Sequence, residues 1–146
     1  MNVEYQDAFI KKDSMPIVDT NIRRTDVFWE NPLSPVGCIL QSYITYANNQ
    51  AGWQYPINEL EQIQISKYKS ENLGFYDWHM DAFAPINGIQ RKISAVLLLN
   101  DPSEFEGGVL QFKGSEDEKV LEKQGSIVVF PSFIEHKVTP VTSGTR

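Results

Sequence analysis

Tyr76-Asp77-Trp78-His79-Met80-Asp81 reads as an extended strand with chemistry on one side. Successive side chains of a strand point to opposite faces, so His79 and Asp81 share a face. Trp78 and Met80 share the other and are expected to pack. An imidazole and a carboxylate so placed need one more imidazole to complete the two-histidine, one-carboxylate triad that binds iron. The chain has a single further histidine, His136, expected on a strand after Phe130-Pro131. Ten residues beyond it stands Arg146. Singly these residues say little, because a lone histidine is usually a hydrogen-bonded structural residue. Together they use both histidines of the chain, in triad order.

Outward from this stretch, period-two patterning dominates. Ile63 and Ile65 share a strand face opposite Gln62, Gln64, Ser66 and Tyr68, and the loop Lys69 to Phe75 then leads into the His79 strand. That brings the Tyr68 phenol near the candidate site. Arg91 to Asn100 is apolar on both faces and is expected to be a buried strand. Shorter strands are expected at Val109–Phe112, Lys119–Glu122, Ser126–Phe130 and Glu135–Val141, punctuated by Gly, Pro and Asp. Short strands at roughly 8–12-residue spacing point to a sandwich or jelly roll. Upstream, Ile22 to Trp29 is expected to be an outer strand, and residues 1–21 a short helix and loop broken at Pro16. Ser34-Pro35 opens a helix as N-cap and first-turn proline. Val36, Ile39, Leu40, Tyr43, Ile44 and Ala47 form its apolar stripe, expected to face the core.

Composition bounds the rest. A chain of 146 residues with 41% apolar and 22% charged residues fits one globular domain. We expect residues 1–59 to support a jelly-roll core of residues 60–146. A net charge of −6 argues against a nucleic-acid partner held by phosphate contacts. One cysteine, Cys38, fits a reducing compartment. No signal-peptide pattern or apolar run of bilayer length is present, so an intracellular, cytoplasmic protein away from membranes is expected. The sequence says nothing of oligomeric state.

Residues 62–146 resemble the catalytic core of iron(II)- and 2-oxoglutarate-dependent dioxygenases, in particular the prolyl 4-hydroxylase-like branch. The likeness rests on Tyr68, Gly74 to Asp81, Leu98-Leu99-Asn100, Glu106 to Leu110, Gly125 to Pro131, and His136 followed by Arg146. It implies a mainly β, double-stranded β-helix (jelly-roll) fold, here buttressed by the N-terminal helix. It implies His79, Asp81 and His136 as ligands of Fe(II), with Arg146 gripping the distal carboxylate of the cosubstrate 2-oxoglutarate and Tyr68 hydrogen-bonding the same group. O₂ would be consumed, succinate and CO₂ released, and ascorbate admitted as an accessory reductant. The substrate implied is a peptide, with a prolyl residue as the family's example, or a small molecule.

Two departures qualify the resemblance. Leu97 stands where some prolyl hydroxylases carry an aromatic residue that helps bind the cosubstrate. Family members also continue past the arginine, so the last strand is expected to be missing, leaving Arg146 weakly held at the start of a strand that pairs with the His136 strand. The rival readings are a non-catalytic jelly-roll binding module and a cupin-like metal hydrolase using the same three ligands. Arg146 and Tyr68 favour the dioxygenase, since a hydrolase needs no carboxylate clamp. The loop Ala82 to Gln90, leaving the site directly after a ligand, is expected to form a mobile flap.

Overall fold

The computed structural model describes residues 5–8, 10–12, 15–85, 88–116 and 120–146. Its strands are β1 (Gln6–Asp7), β2 (Ile10–Lys12), β3 (Met15–Ile17), β4 (Arg23–Arg24) and β5 (Asp26–Glu30), followed by the helix α1 (Pro35–Gln50). Then come β6 (Ile63–Lys67), β7 (Phe75–His79), β8 (Ile93–Leu97), β9 (Phe105–Gly107) and β10 (Leu110–Phe112). The last are β11 (Ile127–Pro131), β12 (His136–Val138) and β13 (Val141–Gly144). All strand pairs are antiparallel, as β5 with β6, β7 with β12, and β8 with β11.

The helix starts where its cap chemistry requires. The Ser34 hydroxyl accepts from the Gly37 N–H, and Pro35 occupies the first turn. Its buried face is Gly37, Leu40, Ile44 and Asn48, and it packs on β8 and β11. Ile39 and Tyr43, expected in the core, are exposed. The helix meets the sheet along a narrow stripe, rotated about one residue from the one the apolar pattern suggests. Asn48 is buried because its side-chain amide both donates to the Tyr55 carbonyl and accepts from the Tyr55 N–H, pinning the return loop.

One four-stranded sheet, in the order β10-β12-β7-β4, carries the site. Tyr68, Leu110, Val138 and Val141 form the buried cluster, with Val96, Phe105 and Val128 packed against it. Residues from several separate sheets thus share one core, as strands wrapped around a common interior must. The segment expected to be one strand from Glu135 to Val141 is two, because Pro140 lacks the N–H to continue the ladder. β12 pairs with β7, and β13 turns away to β9. Val120 to Glu122, expected in a strand, is irregular, and Lys119 lies outside the described residues. The N-terminal stretch expected to hold a short helix instead contributes β1, β2 and β3 in its described parts.

Candidate metal centre

β7 lies between β12 and β4, and the β7–β12 register sets His136 directly opposite His79. Two imidazoles far apart in sequence therefore meet as a cross-strand pair, ring centroids 4.2 Å apart. Asp81 follows the end of β7 rather than lying within it. Its N–H and that of Ala82 both donate to the Ser132 carbonyl, at 3.0 and 2.9 Å. That double bond to the segment after β11 turns the carboxylate back toward the histidines. Asp81 Oδ1 lies 3.8 Å from His79 Nε2, and Oδ2 lies 3.6 Å from His136 Nε2.

Each ligand atom is aimed by a neighbour. A carbonyl can only accept, so His79 Nδ1, 2.7 Å from the Asp77 carbonyl oxygen, carries the proton. His136 Nδ1 stands in the same relation to the Ile134 carbonyl at 2.9 Å. In both rings this leaves the Nε2 lone pair free and directed inward. The Ser94 hydroxyl donates to Asp81 Oδ2 at 2.7 Å. Its proton being spent there, the fully buried Ser132 hydroxyl donates to Ser94 at 2.9 Å. Burial, and next the proximity of His136, hold the His79 imidazole down to about 4 from its ordinary 6.5, so it is neutral at pH 7.

All three ligand atoms lie within 4.8 Å of one another. Ligands each about 2.1 Å from one ion are separated by ~3–4 Å, so the set fits a single divalent ion. Two imidazoles and one carboxylate on one side, with oriented outer partners, are the donor types that suit a facial iron site.

Arg146 and Tyr68 also come together. Contrary to the expected pairing with the His136 strand, the Arg146 backbone pairs with Tyr68: the Tyr68 N–H donates to the Arg146 carbonyl at 2.7 Å, and the Arg146 N–H to the Tyr68 carbonyl at 2.9 Å. The arginine is thus held in register, against the expectation that it would be loose. Its guanidinium carbon lies 5.6 Å from the Tyr68 ring centre. No ion pair reaches it among the described residues, and burial lowers its pKa from the ordinary value. Gly74 and Gly108 make room here. A Cβ on Gly74 would come within 2.8 Å of the Lys69 nitrogen, and one on Gly108 within 2.6 Å of Arg146 Cδ. Arg146 lines a cavity of about 420 Å³ with Leu98, Phe105, Gly108, Val109 and Leu121. The three ligand residues do not line that cavity.

Met80, expected to pack, is 54% exposed because the chain leaves β7 at that point. Trp78 keeps its outward face under the Lys137 ammonium, 4.6 Å from its ring centre. Of the loop expected to act as a flap, Ile86 and Asn87 lie outside the described residues. Its ends are tied down by the Ala82 bond to Ser132 and by the Gln90 side chain donating to the Phe83 carbonyl. Ser94, Ser132 and Tyr76 escaped the sequence reading. A lone serine on a two-sided apolar strand was the available signal for Ser94.

With this fold and this constellation of residues, the chain belongs to the 2OG-Fe(II) oxygenase superfamily, whose family model matches residues 63–146. Within it the likeness is to prolyl 4-hydroxylases. A Pseudomonas putida prolyl-4-hydroxylase structure superposes with a TM-score of 0.61 at 27% identity, covering 88% of this chain and 70% of that one. A viral collagen prolyl hydroxylase from Paramecium bursaria Chlorella virus-1, solved with 2OG, gives 0.65 at 21% identity over 85% and 75% of the two chains. The fold is the jelly roll of these enzymes. A PKHD-type hydroxylase of Azoarcus sp. (strain BH72) is 44% identical over 49% of this chain and 34% of its own length. One from Synechococcus sp. (strain CC9311) is 35% identical over 66% and 46% respectively. The chain thus spans between a third and a half of the length of these curated relatives.

Proposed function

We propose that this chain carries the catalytic centre of an Fe(II)- and 2-oxoglutarate-dependent hydroxylase. The observation that carries the proposal is the convergence of His79, Asp81 and His136, each with its own orienting partner. His79 Nε2, His136 Nε2 and the Asp81 carboxylate would hold Fe(II). Iron, 2-oxoglutarate and O₂ together supply the oxidising chemistry, releasing succinate and CO₂ and hydroxylating a substrate C–H bond. The residues bind and orient. Three ligands on one side leave the opposite positions to cosubstrate and O₂.

Arg146 would take the distal carboxylate of 2-oxoglutarate by a forked, charge-assisted pair. That no ion-pair partner reaches it among the described residues supports that role. Tyr68, held against it by paired backbone bonds, would hydrogen-bond the same carboxylate. Ser94 and Ser132 keep the Asp81 carboxylate turned toward the metal. Ascorbate would serve only as an accessory reductant.

A peptidyl proline is the first substrate class to try, on the strength of the prolyl hydroxylases that share the fold; other peptide side chains and small molecules follow. We propose a cytoplasmic setting, which the single Cys38 supports and fractionation with an antibody to the chain would test. Purified protein given Fe(II), 2-oxoglutarate and air should form succinate, read by mass spectrometry. Metal uptake without any succinate would favour a binding module and overturn the enzymatic proposal.

A further inference from the structure

Between their matched pairs β7 carries one residue more than β12: Tyr76 opposes Val138 and His79 opposes His136, three steps against two. Such a bulge breaks the strict alternation of faces. Tyr76 and His79 consequently bring their rings together, centroids 3.5 Å apart and planes 12° from parallel. On the other side of β7, Arg23 of β4 is the register partner of Tyr76. Its guanidinium carbon lies 4.4 Å from the Tyr76 ring centre. An imidazole stacked so closely covers one face of the phenol, so the guanidinium takes the other.

Arg23 is 6% exposed, yet its Nε and Nη2 have no hydrogen-bond partner among the described residues. Arg91 shows what these two nitrogens ordinarily do: its Nε and Nη2 grip the Glu61 carboxylate at 2.6 and 2.8 Å. A buried cation with an empty fork is costly. The face of Tyr76 is a favourable contact that the structure gives its guanidinium.

We propose that Tyr76 and Arg23 are positioning residues for the metal centre, the guanidinium bracing the phenol and the phenol fixing the tilt of the His79 imidazole. This rests on His79 being a metal ligand. The bond from His79 Nδ1 to the Asp77 carbonyl selects the free nitrogen but lets the ring rock about that bond. Stacking against a braced ring removes the rocking. A purely electrostatic role for Arg23 has the opposite sign. A cation near a divalent ion repels it, so deleting the charge alone would tighten metal binding, whereas losing the brace weakens it.

The test is titration of the protein with Co(II) alone, following the visible ligand-field bands as well as affinity. Tyr76→Phe, which keeps the stacked ring, should match the wild type. Tyr76→Leu should bind about 10- to 100-fold more weakly, the range for loss of an outer-shell support, with altered bands. Arg23→Met should weaken binding about 10-fold. Combined with Tyr76→Leu it should add nothing, because the two act through one ring. Should Arg23→Met fail to fold, Arg23→Lys replaces it and should fall between wild type and Tyr76→Leu.

Tyr76→Leu binding Co(II) as tightly as wild type with unchanged bands would overturn the positioning role alone. So would tighter binding by Arg23→Met, or additive losses in the double variant. Wild-type protein that takes up no Co(II) would overturn the metal assignment itself.

Discussion

The candidate metal centre and the Arg146–Tyr68 pair are built differently. At the metal end every ligand side chain has a side-chain or backbone partner of its own: a carbonyl for each histidine, and a serine for the aspartate. At the Arg146 end the backbone is fixed by two hydrogen bonds to Tyr68, while the guanidinium has no ion-pair partner among the described residues. A metal site must be organised before its small ion arrives. If Arg146 clamps an anion as proposed, its charge stays unpaired until the ligand brings the counter-charge.

Removing one of the three candidate ligands should have the largest effect. Asp81→Ala should bring Fe(II)-dependent succinate formation below detection while changing the melting temperature little, since the carboxylate is not a core group. Full turnover in that variant would sink the metal assignment. Arg146→Leu should do the converse. It should weaken 2-oxoglutarate binding about 10- to 100-fold, the worth of a charged hydrogen-bond pair, and leave Co(II) affinity intact. Calorimetry with each ligand separately would read both. Gly108→Ala should cost roughly 1–3 kcal/mol, because Gly108 sits at φ 58° and a methyl there meets Arg146 Cδ and Val141. Denaturant unfolding measures that, and a variant as stable as wild type would show that the clamp end is plastic.

Much of the metal end was legible in the sequence. His79-x-Asp81 and a single further histidine are spacing signals, and spacing survives without knowledge of pairing. The clamp end was only half legible. Arg146 and Tyr68 could be singled out, but not the pairing of their backbones, because Pro140 ends β12 and sends β13 to β9. Strand partners are set by long-range packing, which no local pattern encodes. The same limit hid Tyr76, whose three-residue spacing from His79 predicts opposite faces. Only the bulge opposite Lys137 brings the rings together. The helix stripe was misjudged at Ile39 and Tyr43 for a related reason: apolar residues mark a helical face without saying how much of it a sheet will cover.

Acidity offers a smaller test of the metal end. The His79 imidazole titrates at about 4 when folded and near 6.5 when unfolded, so between these values the unfolded chain binds more protons. The contribution of this group to the stability of the metal-free protein should therefore grow with pH through this window and be lost as pH falls toward 4. In His79→Gln the dependence should flatten. An unchanged melting profile between pH 6.5 and 4.5 in that variant would mean other groups govern it.

On the proposed reading one ion sits among His79, Asp81 and His136. Anomalous diffraction at the iron edge, from crystals grown with Fe(II) under anaerobic conditions, tests it without reference to substrate. A single peak in contact with His79 Nε2, His136 Nε2 and an Asp81 carboxylate oxygen is the predicted result. Iron bound elsewhere, or a peak touching only one of the three, would contradict it.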